Sequence, residues 1–359
     1  MRIEPELTPP RRSILHSVPL RILLSAVMIA VLIWRLPDVK WGDLGPRWTR
    51  ASPLWMAGAG LAMLSAFALS TLRWQRVLAA MTTPPSYKRM LNIFLAGQFV
   101  SNVLPSAFGG DVIRVARLGK RLEDRPTAFA SVTIDRLTGW FVLPIITLVA
   151  LSYQRELRDL GHQTTVAVAI AVGTLVALSA VLLIASNRRF AKFADDAVGW
   201  RRFLIAIHVG IDALRRRPAE AIEVIAIGLA FQFLQCLALW FAGHGIGIKE
   251  IEFGVVLVFF PAVAIAQNLP IGLGGLGIRE SMFVSFFGAV GAEPALCITL
   301  GLTFYLITIV TSSLGAPSFA MGHRVGDDDE ALAEAEAEVL SHHSHHSHRH
   351  DVAPPQAGT

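Results

Sequence analysis

The sequence predicts an all-α polytopic membrane protein of about 6–8 transmembrane helices, with two re-entrant hairpins in an inverted repeat. Three observations predict it. Hydrophobic residues make up 53% of the 359-residue chain and charged residues only 16%, with a mean hydropathy of +0.53; a soluble domain carries roughly 25% charge. Several apolar runs approach the ~20 residues a helix needs to cross a bilayer. A short motif with a proline, paired glycines and an arginine interrupts the apolar sequence twice.

In chain order, 1–17 is read as a cytoplasmic N-terminal segment and 18–322 as the membrane domain. The first apolar run, Leu20 to Trp34, has the basic flank of a signal peptide in Arg11 and Arg12. It lacks a small-residue cleavage site before Arg35 and Pro37, so a retained crossing is expected at 18–35. Further crossings are expected at 53–72, 127–151, 165–185, 219–245 and 294–317, with broken apolar regions at 90–113 and 253–291. From 323 the chain is polar, reading "DDDEALAEAEAEVL" and then "HHSHHSHRH". The acidic part suits a short solvated helix and the rest a disordered tail; the His tract also has a metal-binding composition. Cys236 and Cys297 lie inside apolar runs, so no disulfide framework or cysteine zinc site follows. His208 and His244 are isolated, and no cofactor is implied.

Lysine and arginine orient the helices. Twenty basic residues fall before 18 and within 73–89, 114–125 and 188–217, against seven in the intervening loops. This places the N-terminus and the C-terminus in the cytoplasm of a cell with the domain in its inner (plasma) membrane. The formal charge of +5 is then loop bias, and no nucleic-acid partner is expected. The groups at 73–89 and 114–125 share a face only if 90–113 enters and leaves on one side. Two helical crossings take roughly 40 residues, so this region is expected to dip in and turn back. Pro105 would end one half-helix and Gly109-Gly110 would allow a tight turn. Non-helical backbone at that depth must be buried in protein or line a wet cavity.

The motif "NVLPSAFGGDVIR" is answered further on by "NLPIGLGGLGIRE". With Pro105 set on Pro270, Leu104 matches Leu269, Gly109-Gly110 match Gly274-Gly275, Ile113 matches Ile278 and Arg114 matches Arg279, all offset by 165. Three crossings separate the two motifs, so the second is entered from the outer side, which makes the repeat inverted. Such repeats place substrate at their interface, and glycine turns leading into helices offer free N–H groups suited to an anion.

Asp135 and Arg136, in "TIDRLTGW", fall some eight residues inside a crossing. A charge at mid-membrane costs roughly 2.5–3.5 kcal/mol on insertion scales, so these residues are expected to face the protein interior and pair. Arginine suits a phosphate headgroup because its planar fork binds oxygens bidentately. Arg114 and Arg279 are the expected substrate contacts, with Asn102, Gly109, Gly110, Asn268, Gly274 and Gly275 beside the breaks. Asp111, Asp135, Arg136 and Glu280 are their charge partners. A structural ion-pair network is the competing reading of the charges. Gln98, Asn102, Gln267 and Asn268 also suit backbone groups freed at the breaks. A separate stretch, "WRRFLIAIHVGIDALRRR", spaces Trp200, Phe203, Leu204, Ile207, Ile211 and Leu214 along one helical face with arginines at both ends. It is expected to lie on the inner leaflet, held by anionic lipid.

The combination of "GQFVSNVLPSAFGGDVIRV", "DRLTGW" and "LPIGLGGLGIRES" resembles the lysylphosphatidylglycerol synthase transmembrane, or flippase-like, family over roughly residues 15 to 320. Some members of that family join this membrane unit to a soluble aminoacyl-transferase domain. Only a short polar tail follows the last crossing here, so that synthase domain is expected to be absent. The resemblance implies lipid handling: movement between leaflets of an aminoacylated phospholipid, a polyprenyl-linked sugar or a hopanoid-type lipid. The expected function is a lipid flippase or flippase-like transporter for a phosphate-bearing lipid, not an enzyme. No G-x-x-x-x-G-K-[ST] sequence occurs, so no ATPase is recognisable. The alternatives are a membrane-embedded lipid-phosphate sugar transferase, using Asp38 or Asp43 of the first outer loop, and a non-transporting partner of a lipid-modifying enzyme.

Overall fold

The computed structural model describes residues 45–103, 109–186, 200–268 and 275–323. The crossing expected at 18–35, Asp38 and Asp43, the hairpin tips with Pro105, Pro270 and Gly274, and the acidic and His-rich tail lie outside the described residues.

Every described element is a helix. They are α1 (Ser52–Met81), α2 (Tyr87–Val103), α3 (Gly109–Leu122), α4 (Arg125–Tyr153), the single turn α5 (Arg155–Arg158), α6 (His162–Ala185), α7 (Trp200–Arg216) and α8 (Pro218–Gly245). Then come α9 (Phe253–Gln267), α10 (Ile278–Gly288), α11 (Pro294–Ser312) and, after a 3₁₀ turn, α12 (Ala316–His323). Among the described residues five helical runs are long and apolar enough to cross a bilayer: α1, α4, α6, α8 and Pro294–Ala320.

Local chemistry sets the starts. α1, α4, α8 and α11 carry proline in the first turn, where its missing N–H costs nothing. At α4 the Asp124 carboxylate also accepts from the Thr127 N–H at 3.0 Å, capping the helix. Pro144 and Pro261 stand inside α4 and α9, and nearby Thr147 Oγ1 of α4 donates to the Val258 carbonyl of α9 at 3.0 Å. The broken regions resolve into pairs of short helices. α9 has 15 residues and α10 only 11; at ~1.5 Å per residue they reach about 22 and 16 Å, short of a ~30 Å hydrocarbon core.

The packing has a regular pattern. An offset of 165 residues carries the start of each of α1, α2, α3 and α4 to within four residues of the start of α8, α9, α10 and α11 in turn. α1 lies along α8 as the most extensive helix pair. α4 packs on α9 as α11 packs on α2, and α4 on α8 as α11 on α1. The core is richest around α9 and α10, where Phe259, Phe260, Phe283, Phe286 and Phe287 are fully buried and Phe259 stacks on Phe286 at 4.8 Å. α6 lies at the periphery, presenting Val172, Val176 and Leu183 outward.

Two expectations need correction. The sequence reading has the inner leaflet cover the apolar face of α7. The protein covers it instead: Leu204 and Ile207 are buried with Val77, Ile134, Ala185 and Val224, and Ile211 and Leu214 pack against them. Amphipathic spacing specifies an apolar stripe and leaves its cover open. Gly109 and Gly110 were expected to form the tight turn. Both stand inside the first turn of α3, and Gly110 serves a helix crossing. A Cβ there would collide with the Gly97 carbonyl oxygen and Ser101 Oγ of α2. Just before α10, glycine does take turn conformations, with φ of +78° at Gly275 and +88° at Gly277.

Gly110→Ala is therefore expected to force α2 and α3 apart and to destabilise the protein by about 1–3 kcal/mol. Gly60→Ala on α1, where an added Cβ meets nothing within 4 Å, should leave stability unchanged or slightly raised. Melting midpoints of the two purified variants in detergent check this pair.

Candidate functional site: a buried arginine–aspartate cluster

The crossing expected at 53–72 continues as helix to Met81. This draws Arg73, assigned by sequence to a cytoplasmic loop, into the bundle. Trp74, Val77 and Leu78 carry the apolar spacing on past position 72 and are fully buried, which is the signal that marks Arg73 as interior.

Arg73 on α1, Arg114 on α3 and Asp135 on α4 meet in the core, each no more than 6% exposed. Asp135 divides its two oxygens between the arginines. Arg73 Nε donates to Oδ1 at 2.9 Å and Arg114 Nη2 to Oδ2 at 2.7 Å. Arg114 Nη1 reaches Asp111 Oδ1 at 3.4 Å, and Arg136 Nε holds Asp111 Oδ2 at 2.5 Å. Aromatic rings close the guanidinium faces. Arg114 Cζ lies 4.2 Å from the Trp74 centroid and 5.2 Å from that of Phe94, and Arg73 Cζ lies 5.2 Å from Phe231. Trp74 is itself fixed by Nε1 donating to Ser131 Oγ at 3.2 Å.

Two donors in this cluster are left over. Among the described residues, Arg73 Nη1 and Arg114 Nε are buried without a hydrogen-bond partner. Glycines make room beside them. A Cβ on Gly139 would stand 2.8 Å from Arg73 Nη1, one on Gly228 would stand 3.6 Å from Arg73 Cδ, and one on Gly97 would stand 2.9 Å from Arg114 Cγ.

The expected site residues thus divide into two groups. Arg114, Asp111, Asp135 and Arg136 come together as one cluster, with Gly109 and Gly110 at the helix start that aims it. Arg279 and Glu280 form a separate buried pair. Arg279 Nε and Nη2 donate to Glu280 Oε1 at 3.1 and 2.6 Å, and Glu280 Oε2 accepts from the Gly277 N–H at 2.6 Å. A carboxylate of the chain itself thus fills the start of α10. Gly275 belongs to the turn before it, Asn268 Nδ2 donates to the Ala264 carbonyl at 2.6 Å, and Asn102 offers its carbonyl to Tyr305 Oη at 3.1 Å. Gly274 lies outside the described residues. Tyr305 links α2 to α10, because Arg279 Cζ also lies 5.0 Å from its ring. The sequence reading missed Arg73 and Tyr305. Tyr305 carries no sequence signal, since an aromatic residue in an apolar helix is ordinary.

An all-helical bundle with bilayer-length helices and ion pairs buried within it defines a polytopic integral membrane protein. Its relatives agree. The chain belongs to the family described as "Lysylphosphatidylglycerol synthase TM region", which matches residues 20–315. It is similar to two UPF0104 membrane proteins of Methanothermobacter thermautotrophicus, each 24% identical, over 307 and 297 residues. These matches cover 78% and 75% of this chain and 88% and 84% of those proteins. A UPF0104 membrane protein of Pyrococcus horikoshii is 24% identical over 262 residues, covering 66% of this chain and 77% of its own. No solved structure matches the chain.

Asp135→Asn leaves two buried guanidiniums without the carboxylate they share and is expected to cost about 3–5 kcal/mol. Glu293→Gln, at the Arg47–Glu293 pair whose side chains are more than half exposed, should move the melting midpoint little. Detergent melting of both variants and the parent tests the contrast.

Proposed function

We propose that this protein moves the anionic, phosphate-bearing headgroup of a lipid between the leaflets of the cell's inner membrane without altering it chemically. The carrying observation is the trio Arg73, Arg114 and Asp135. Two guanidiniums facing one carboxylate leave a surplus positive charge and two unpartnered donors in an apolar interior. A phosphate oxyanion supplies both the charge and the acceptors. The family's description, a membrane region of a lipid synthase, supports a lipid ligand.

The helix register at the 165-residue offset, and packing that pairs α4 with α9 as it pairs α11 with α2, support an inverted repeat. The shortness of α9 and α10 supports re-entrant hairpins. In this reading the hairpins bound a cavity whose exposure alternates between faces, the lipid tails stay in the bilayer, and both chain ends are cytoplasmic. Arg215 and Arg216 at the end of α7 face inner-leaflet anionic lipid, and a lipid-synthesising enzyme supplies the substrate.

Liposomes reconstituted with the protein and a headgroup-labelled anionic lipid test this. Label is expected to change leaflet with the lipid chemically intact. Arg114→Lys keeps the charge but loses the planar fork, and should slow movement at least tenfold while still folding. A new lipid species in the product would instead support the transferase reading, and full movement by Arg114→Lys would remove the site.

Topology has its own test. Single cysteines at Ser86 and Thr127, with Cys236 and Cys297 removed, should react in intact cells only with membrane-permeant thiol reagents. Reaction of the Thr127→Cys site with an impermeant reagent would show that 90–113 crosses the membrane to the other side, and the re-entrant reading would fail.

A further inference from the structure

We propose that the Arg73–Arg114 site is never empty in the membrane: a small inorganic anion occupies it when no headgroup does, so that lipid movement is an exchange of one anion for another. This rests on the translocation reading above and adds its coupling.

The charge count at the site leads there. Both oxygens of Asp135 are engaged, one by each arginine. Asp111 touches Arg114 only at 3.4 Å and lies closer to Arg136, at 2.5 Å. Arg73 makes no ion pair beyond its half-share of Asp135 among the described residues. The trio therefore holds two positive charges on one negative charge, all deeply buried. Guanidinium groups do not discharge in proteins, so the surplus cannot be relieved by losing a proton. Water could satisfy the idle Arg73 Nη1 and Arg114 Nε as acceptor, but it brings no charge. A buried charge without a partner is strongly disfavoured. Trp74, Phe94 and Phe231 occupy guanidinium faces, so an anion must approach along an edge. The two orphan nitrogens lie on such edges, and Gly139 keeps side-chain bulk away from the Arg73 edge.

The consequence is kinetic. A site balanced when loaded and positive when empty favours closure around an anion and resists closure without one. The return half-cycle then needs a second anion, whether another headgroup or a free one. Headgroup phosphate and inorganic phosphate share the relevant chemistry, an oxyanion with acceptors for arginine edges.

Two measurements separate these sources. The full-length protein in non-ionic detergent is melted at constant ionic strength, with bulky gluconate replaced stepwise by inorganic phosphate. The midpoint is expected to rise by several degrees and saturate, as for any ligand that binds only the folded state. Arg73→Gln leaves Arg114 and Asp135 balanced. It should melt no lower than the parent in phosphate-free buffer and lose the phosphate response. A parent that ignores phosphate, a response kept by Arg73→Gln, or an Arg73→Gln protein far less stable without phosphate would each overturn the anion site.

In the second measurement, liposomes carry headgroup-labelled anionic lipid in the outer leaflet and either phosphate or gluconate inside. Internal phosphate is expected to speed movement several-fold. A rate indifferent to the internal anion overturns the exchange even where the melting response holds. Absence of movement under every condition, with the melting response intact, overturns the translocation reading and the exchange with it, and leaves the anion site standing.

Discussion

Asp135 carries two arginines where most buried ion pairs carry one, and the surrounding helices are arranged around that load. Arg73 comes from α1, Arg114 from α3 and Asp135 from α4, so three helices meet at one carboxylate. Charges inside an apolar bundle are tolerated only when close partners and polarisable surroundings replace water. The rings of Trp74, Phe94 and Phe231 supply the second requirement by presenting their faces to the guanidiniums. Moving any of the three helices would break a charge pair, and this fixes the seating of α3 on the bundle.

Small residues make that seating possible. Gly97 and Gly110 let α2 and α3 cross at backbone contact, and Gly97 also clears the stem of Arg114. Gly139 on α4 and Gly228 on α8 flank Arg73. Helices in membranes associate largely through close packing of small residues. Here the same notches leave space for long arginine side chains within the contact. A methyl group at these positions would act on the charge geometry as well as on the crossing.

The crossings were legible because apolar length is a strong signal. α4, α6 and α8 start and end within three residues of the expected limits. The offset of 165 was legible as well, since proline, paired glycine and arginine seldom recur in one frame by chance. Arg73 was not read as interior, because an arginine near the end of an apolar run normally marks the membrane edge. Only the apolar spacing beyond it, at Trp74, Val77 and Leu78, shows that the helix goes on. The cover of α7 was equally out of reach, because a stripe of leucine and isoleucine packs as well on Ile134 and Val224 as on lipid.

The aligned arginines show why a repeat in sequence need not be a repeat in chemistry. The positions matching Arg73, Asp135 and Arg136 in the second half are Ala238, Leu300 and Gly301. Arg279 therefore has no counterpart of Asp135 to reach, and its adjacent residue Glu280 takes the role. That carboxylate also satisfies the Gly277 N–H at the start of α10 and sits against Gly301, where a Cβ would stand 2.8 Å from Glu280 Oε1. Arg279 and Glu280 of α10 thus balance each other, one charge against one. Arg114 of α3 is balanced chiefly by Asp135 of α4, a carboxylate it shares with Arg73 of α1, and that trio keeps a surplus. Tyr305 touches α2 and α10, through the Asn102 carbonyl and the Arg279 guanidinium. A shift of α2 would therefore be felt directly at α10, whose own charges are already paired.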